Sequence, residues 1–258
     1  MKSEEFYIGY LDSSPTELGR WLRRIVPALL VAAAFLAGFW VAAARPFDPG
    51  VFEFGAPRSF TGIVIARPYP SLVVERPGDT RRFGGFSRYW LVGDGKHGAD
   101  DQIEGFDGKA VELSGDLLYR DGQTMIKLNE GAIKLLPADG ADHFGLAALD
   151  MKPRPLGAVD VQGEIIDPQC FLGIMKPGYG MTHRSCAIRC LSGGVPPVLR
   201  ALDGAHTAHY YLLLGPDGGR INRQLLPVVA EPLKLHGEAY AYGDFLALQI
   251  DPRTLLTH

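Results

Sequence analysis

The chain has 258 residues, 47% of them hydrophobic and 21% charged, a length and apolar content that sustain a full core and exclude a disordered chain. Its formal net charge is -3 and its pI about 6.2. No basic field is present to attract phosphate backbones, so nucleic-acid binding is excluded from the leading readings.

Residues 1–24 form a tail whose apolar and aromatic members, Phe6, Tyr7, Ile8, Tyr10, Leu11 and Trp21, have no core of their own to enter. Tyr10 and Trp21 suit the headgroup level as an interfacial belt. The alternative is that Phe6, Tyr7, Tyr10, Leu11 and Trp21 dock against another subunit of a membrane complex. Ser13-Ser14-Pro15-Thr16-Glu17 matches a helix start, with Ser14 as cap, Pro15 at the first helical position and Glu17 at the third, so the anchor helix is expected to begin below the membrane.

Residues 25–44, IVPALLVAAAFLAGFWVAAA, carry no charge, and at 1.5 Å per residue about twenty residues cross a hydrocarbon core of about 30 Å. Pro27 is expected in the first turn, where a missing N–H costs little. Arg20, Arg23 and Arg24 crowd one edge and Arg45 alone follows closely. The positive-inside rule therefore predicts a single-pass helix in the inner (cytoplasmic) membrane, with the N-terminus cytoplasmic and residues 46–258 periplasmic or otherwise extracytoplasmic. The competing reading is a signal peptide cleaved near Ala42-Ala43-Ala44. The apolar run exceeds the usual 7–15-residue signal core, which favours a retained anchor.

Beyond the membrane, Gly and Pro punctuate short β-rich runs and a weak internal repeat emerges. SFTGIVIARPYPSLVV (59–74) aligns with DVQGEIIDPQCFLGIM (160–175), YWLVGDG (89–95) with YYLLLGPDG (210–218), and GKAVELSGDLLYRDGQTMIKLN (108–129) with AEPLKLHGEAYAYGDFLALQID (230–251). Gly62 pairs with Gly163 and Gly115 with Gly237, as strand glycines do at barrel bends. Gly122 and Gly243 fall at closing hairpin turns that need positive φ. The expected fold is mainly β: a first OB-like five-stranded barrel over 46–136, a linker over 137–157, and a second OB-like barrel over 158–258 with an inserted Cys/His-bearing helix.

All three cysteines lie within the second copy: Cys170, then Cys186 and Cys190 in HRSCAIRC. On a helix over 182–192, His183, Cys186 and Cys190 share one stripe, with Thr182 as cap and Gly193-Gly194 as terminator. Cys170, at the end of the preceding strand, completes a three-thiolate, one-imidazole set. That set suits tetrahedral zinc, or copper if Met175 or Met181 adds a thioether. The alternative is a disulfide from Cys170 to Cys186 or Cys190 with a spare thiol, which an oxidising compartment favours. A third reading is a thiol oxidoreductase with a cysteine activated by Arg184 or Arg189, although C-x-x-x-C lacks the usual redox spacing.

Asp167-Pro168-Gln169-Cys170, His183 to Cys190, and Gly193-Gly194-Val195-Pro196 followed by HYYLLL (209–214) resemble a D-x-x-C, H-x-x-C-A-x-x-C, G-G-x-P motif of bacterial extracytoplasmic OB-like domains of poorly defined function. The resemblance covers about fifty residues and implies export and a small barrel, with no reaction attached. The corresponding stretch of the first copy, RPGDTRRFGGFSR, has neither Cys nor His.

No G-x-S-x-G elbow, H-E-x-x-H, phosphate loop or C-x-x-C-H haem attachment occurs, so no enzyme is expected. His97, His143, His206, His209, His236 and His258 are expected on surfaces or strands, and Asp100, Asp101 and Glu104 on a solvated loop. The leading expectation is a non-catalytic, membrane-anchored accessory subunit whose partners are the bilayer and other membrane-complex subunits. The alternative is a metal-handling or electron-transfer protein.

Overall fold

The structure, a computed structural model, describes residues 14–44, 50–76, 85–137, 153–204 and 207–256. It divides into two compact units, Met1–Phe47 and Asp48–His258.

The first unit is carried by helix α1, Thr16–Ala43. Its 28 residues span about 42 Å at 1.5 Å each, more than a hydrocarbon core requires. Among the described residues it is the one helix long and apolar enough to cross a membrane. Leu30, Phe35, Trp40 and Val41 are exposed along it, as is Trp21. Two local expectations are corrected. The helix starts after Pro15 with no side-chain cap, so Ser14 does not cap it. Because it begins well before residue 25, Pro27 falls in the helix interior, where it removes one backbone bond to the preceding turn. Phe6, Tyr7, Tyr10 and Leu11 lie outside the described residues.

Among its described residues the second unit holds eleven strands: β1 Val51–Phe52, β2 Arg58–Ile65, β3 Ser71–Glu75, β4 Phe86–Val92, β5 Ala110–Arg120, β6 Gln123–Leu135, β7 Arg154–Ile166, β8 Val198–Leu202, β9 Ala208–Leu214, β10 Pro232–Tyr242 and β11 Phe245–Gln249. Strands β2–β6 close into one five-stranded barrel in the order β2-β3-β4-β6-β5, with β1 added outside β5. Strands β7–β11 close into another in the order β7-β8-β9-β11-β10. The two rings share one topology. In each, the third and fifth strands run parallel, β4 with β6 and β9 with β11, and the other ring pairs are antiparallel.

The repeat glycines explain why both sequences curl the same way. A Cβ at Gly62 would run into the carbonyl of Val73 across β2–β3, and one at Gly163 into that of Arg200 across β7–β8. Gly115 and Gly237 meet the carbonyls of Lys127 and Gln249 across the β5–β6 and β10–β11 pairs in the same way. Four glycines thus permit backbone approaches that a side chain forbids. At the closing hairpins Gly122 has φ 75° and Gly243 φ 60°, the left-handed conformation expected there.

Each barrel has its own core. Val64, Leu72, Leu91 and Ile126 fill the first, and Ile165, Leu199, Leu213 and Leu248 the second. A third cluster joins them: Trp90, Leu118 and Met125 from one barrel pack with Phe171, Cys190 and Tyr210 from the other. Trp90 and Phe245 meet edge to face at 4.9 Å, a contact worth about 0.5–1.5 kcal/mol beyond its buried area. Polar bolts cross the same junction. Tyr69 donates its hydroxyl to Asn222 Oδ1 at 2.5 Å, and Tyr210 donates to Asp121 Oδ2 at 2.7 Å. The barrels therefore form one body, closer than the expected arrangement of two units on a linker. Strand β7 already begins at Arg154, inside the expected 137–157 linker, and residues 138–152 of that linker lie outside the described residues.

Candidate metal centre

The site begins where β7 ends. Asp167 is fully buried, and Oδ1 of its carboxylate accepts the backbone N–H of Cys170 at 2.8 Å, which pins the following π-type turn, Cys170–Ile174. Oδ2 of the same carboxylate lies 2.9 Å from His183 Nε2. An aspartate three residues ahead of a turn satisfies the turn's first free donors as a helix cap does. Cys170 thereby acquires a fixed position.

Helix α2, Arg184–Ser192, supplies the other two sulfurs. Cys186 and Cys190 are four residues apart and so project from one face. His183 holds the N-cap position after a 3-10 turn over Met181–His183, and no side chain caps the helix. Thr182 is therefore not the cap. The expected terminator is present: Gly193 closes the helix and Gly194 has φ 96°. Asn222, at the start of helix α3 (Asn222–Leu225), donates to the Leu191 and Val195 carbonyls at 2.9 and 2.8 Å and so fixes the turn that follows.

One ligand atom each from Asp167, Cys170, Cys186 and Cys190 lies within 4.8 Å of the others. Cys170 and Cys186 sulfurs are 3.5 Å apart. Cys170 and Cys190 are buried in the shared core and Cys186 is half-buried. A group of one carboxylate and three thiols at this spacing can hold a metal ion, because a single tetrahedral cation contacts N, O or S ligands at about 2.0–2.3 Å each. The expected set is corrected in one member: the fourth group is Asp167, and His183 stands behind it as the hydrogen-bond partner that orients the carboxylate. Met175 Sδ lies 3.4 Å from Cys186 Sγ, whereas Met181 is exposed on the 3-10 turn. The expected disulfide is also corrected. All three cysteines are free, and 3.5 Å is far beyond the S–S bond length of about 2.05 Å.

Electrostatics divide the sulfurs. The contact with Cys190, then burial, then the Asp167 charge all push the Cys170 thiol up from its ordinary value. Cys186 faces a cation. Lys96 Nζ lies 2.6 Å from its sulfur, and this contact raises the Lys96 ammonium above the usual lysine range. Arg184, expected to activate a cysteine, instead pairs with Glu231 and donates to the Pro227 carbonyl.

Lys96 comes from the first barrel. Its loop after β4 is fastened to the cysteine helix: Gly98 N–H donates to the Gly193 carbonyl at 2.8 Å, and Gln169 Nε2 donates to the Gly95 carbonyl at 2.9 Å. A Cβ on Gly193 would collide with the Lys96 carbonyl, so this close docking needs glycine there. The same loop continues to Asp100, which pairs with Arg220 at 2.6 Å. Asp101 and Glu104 are exposed. His209 and His236 make surface pairs with Asp203 and Asp160, and His97 is exposed. His143, His206 and His258 lie outside the described residues.

Sequence reasoning missed Asp167 as a ligand candidate and Lys96 altogether. Asp167 carried a signal, its place three residues before Cys170 in the motif. Lys96 carried none, because nothing local links it to a helix ninety residues onward. The chain matches no protein-family model, no curated protein and no solved structure.

The His183–Asp167 contact yields a direct expectation. His183→Ala lowers metal affinity about 10–100-fold, the usual effect of deleting a partner that orients a ligand. Competition with a chromophoric chelator measures it. Unchanged affinity would show that the carboxylate does not reach the ion.

Proposed function

We propose that this chain is a membrane-anchored, non-catalytic subunit whose extracytoplasmic double barrel carries a zinc site made by Asp167, Cys170, Cys186 and Cys190. The observation that carries the reading is the convergence of three free thiols and one buried carboxylate within 4.8 Å. Three sulfurs and one oxygen form a borderline donor set that suits zinc; copper(I) would use the sulfurs and leave Asp167 unengaged. The compartment supports the same reading. Adjacent free thiols facing an oxidising environment are oxidised unless a ligand engages them.

The anchor is α1, and the arginines at 20, 23 and 24 favour a cytoplasmic N-terminus, with the barrels outside the inner membrane. The strand order, first-second-third-fifth-fourth and back to first, is that of an OB-like Greek key, and α2 then occupies the connection between its first and second strands. Such barrels present loops and faces for partners, which fits an accessory subunit of a membrane complex. The resemblance to a motif of bacterial extracytoplasmic domains fits the same placement.

Elemental analysis of the full chain in mild detergent tests the proposal. About one equivalent of zinc retained through dialysis is the expected result. A chain that holds neither zinc nor copper(I), even after reduction and reloading, would overturn it.

A further inference from the structure

The contact between Lys96 and Cys186 is unlike the others in the site. Nitrogen and sulfur are 2.6 Å apart, well inside the roughly 3.5 Å of ordinary non-bonded contacts. Both groups are half-buried, so small molecules reach them. The approach is also imposed from outside the pair: the Gly98–Gly193 and Gln169–Gly95 hydrogen bonds hold the loop against the helix on either side of Lys96, and Cys170 and Met175 sulfurs crowd Cys186 at 3.5 and 3.4 Å.

The geometry points to a covalent, oxidation-made bridge in which one oxygen atom links Lys96 Nζ to Cys186 Sγ and ties the first barrel to the second. The oxidant is dioxygen. Amine and thiol together carry three protons; the O–O bond breaks, and one oxygen forms new bonds to nitrogen and sulfur. The other oxygen leaves as water with two of those protons, and the third stays on nitrogen. Nitrogen and sulfur each lose two electrons, and the four reduce dioxygen. A nucleophile held against an oxidised sulfur captures it before it advances to sulfinic acid, and at Cys186 the Lys96 nitrogen is held there. Two equivalents of a dithiol supply the four electrons and four protons that restore both side chains, and the bridging oxygen leaves as water.

This inference goes beyond the zinc reading. Zinc and the bridge compete for the same sulfur, so the bridge forms when the ion is absent, and it then leaves Cys170, Cys190 and Asp167 as an incomplete donor set. Oxidation would therefore govern whether the site takes up metal.

Peptide mapping of the full-length protein, chelator-treated and held in air, tests the bridge. Trypsin cannot cut at a modified Lys96, so the expected product joins residues 89–109 to residues 185–189. It is one oxygen heavier and two hydrogens lighter than the sum of the two peptides, and dithiothreitol separates it. Lys96→Arg keeps the positive charge but abolishes the product. Separate peptides with alkylatable Cys186 overturn the bridge, as does a Cys170–Cys186 disulfide in its place or a direct nitrogen–sulfur link lacking the oxygen. Zinc measured on a parallel sample separates the two readings: a chain that binds zinc yet never cross-links defeats the bridge alone, and a cross-linked chain that never binds zinc defeats only the metal site.

Discussion

Cys190→Ala is expected to lower zinc affinity by more than about 100-fold, beyond the 10–100-fold range of losing an orienting partner, or over about 2.8 kcal/mol at 1.4 kcal/mol per tenfold. Cys190 is the most enclosed of the three sulfurs, with no exposed surface, against 2% for Cys170. Alanine keeps the position apolar within the shared core, so the variant loses the ligand without leaving an unsatisfied polar group. Chelator competition on the detergent-solubilised chain reads the affinity, and circular dichroism confirms the fold. Wild-type affinity in a folded variant would remove Cys190 from the donor set and leave too few ligands for a closed zinc site.

The second large effect concerns the barrels. Gly163→Ala places a Cβ against the Arg200 carbonyl and the Ala201 Cα across the β7–β8 pair. Both neighbours are backbone, so relief requires the strands to part just upstream of Asp167. The cost is expected at about 2–3 kcal/mol, the upper part of the roughly 1–3 kcal/mol that overpacking costs. For a unit of this size that lowers the melting temperature by roughly 4–12 °C. Gly204→Ala is the control, because a Cβ there meets nothing within 4 Å. Thermal melts of the two variants decide the matter: equal melting temperatures would mean that the repeat glycines are not what permits closure.

The repeat made both barrels legible. The aligned blocks are corresponding strands, β2 with β7, β4 with β9, β5 with β10 and β6 with β11, because strand glycines and hairpin turns are local signals with a steric cause; the end of the first block fails, since 71–74 lies in β3 while 172–175 lies in the turn that carries Cys170, and the counterpart of β3 is β8. The cysteine helix was legible for the same reason, through spacing on one face and a glycine pair at its end. What periodicity cannot carry is contact between distant segments. The shared core built from Trp90, Met125, Phe171 and Tyr210 left no pattern, since each of those residues also suits the core of its own barrel. The exchange of His183 for Asp167 was hidden because His183 sits on the 3-10 turn ahead of the helix, where it bonds the Asp167 carboxylate and leaves that carboxylate to face the sulfurs. Pro27 was misplaced because an apolar run marks where a membrane lies, while the helix extends past it to Thr16.

Lys96 makes the two barrels unlike halves of one device. The second holds the three sulfurs and the first the amine beside one of them, across a junction closed by Gly98 and Gly193. Neither barrel completes that arrangement alone. A substitution at Lys96 is felt at Cys186, and a bulkier residue at Gly193 is felt in the opposite barrel, so the two positions answer to each other across the junction.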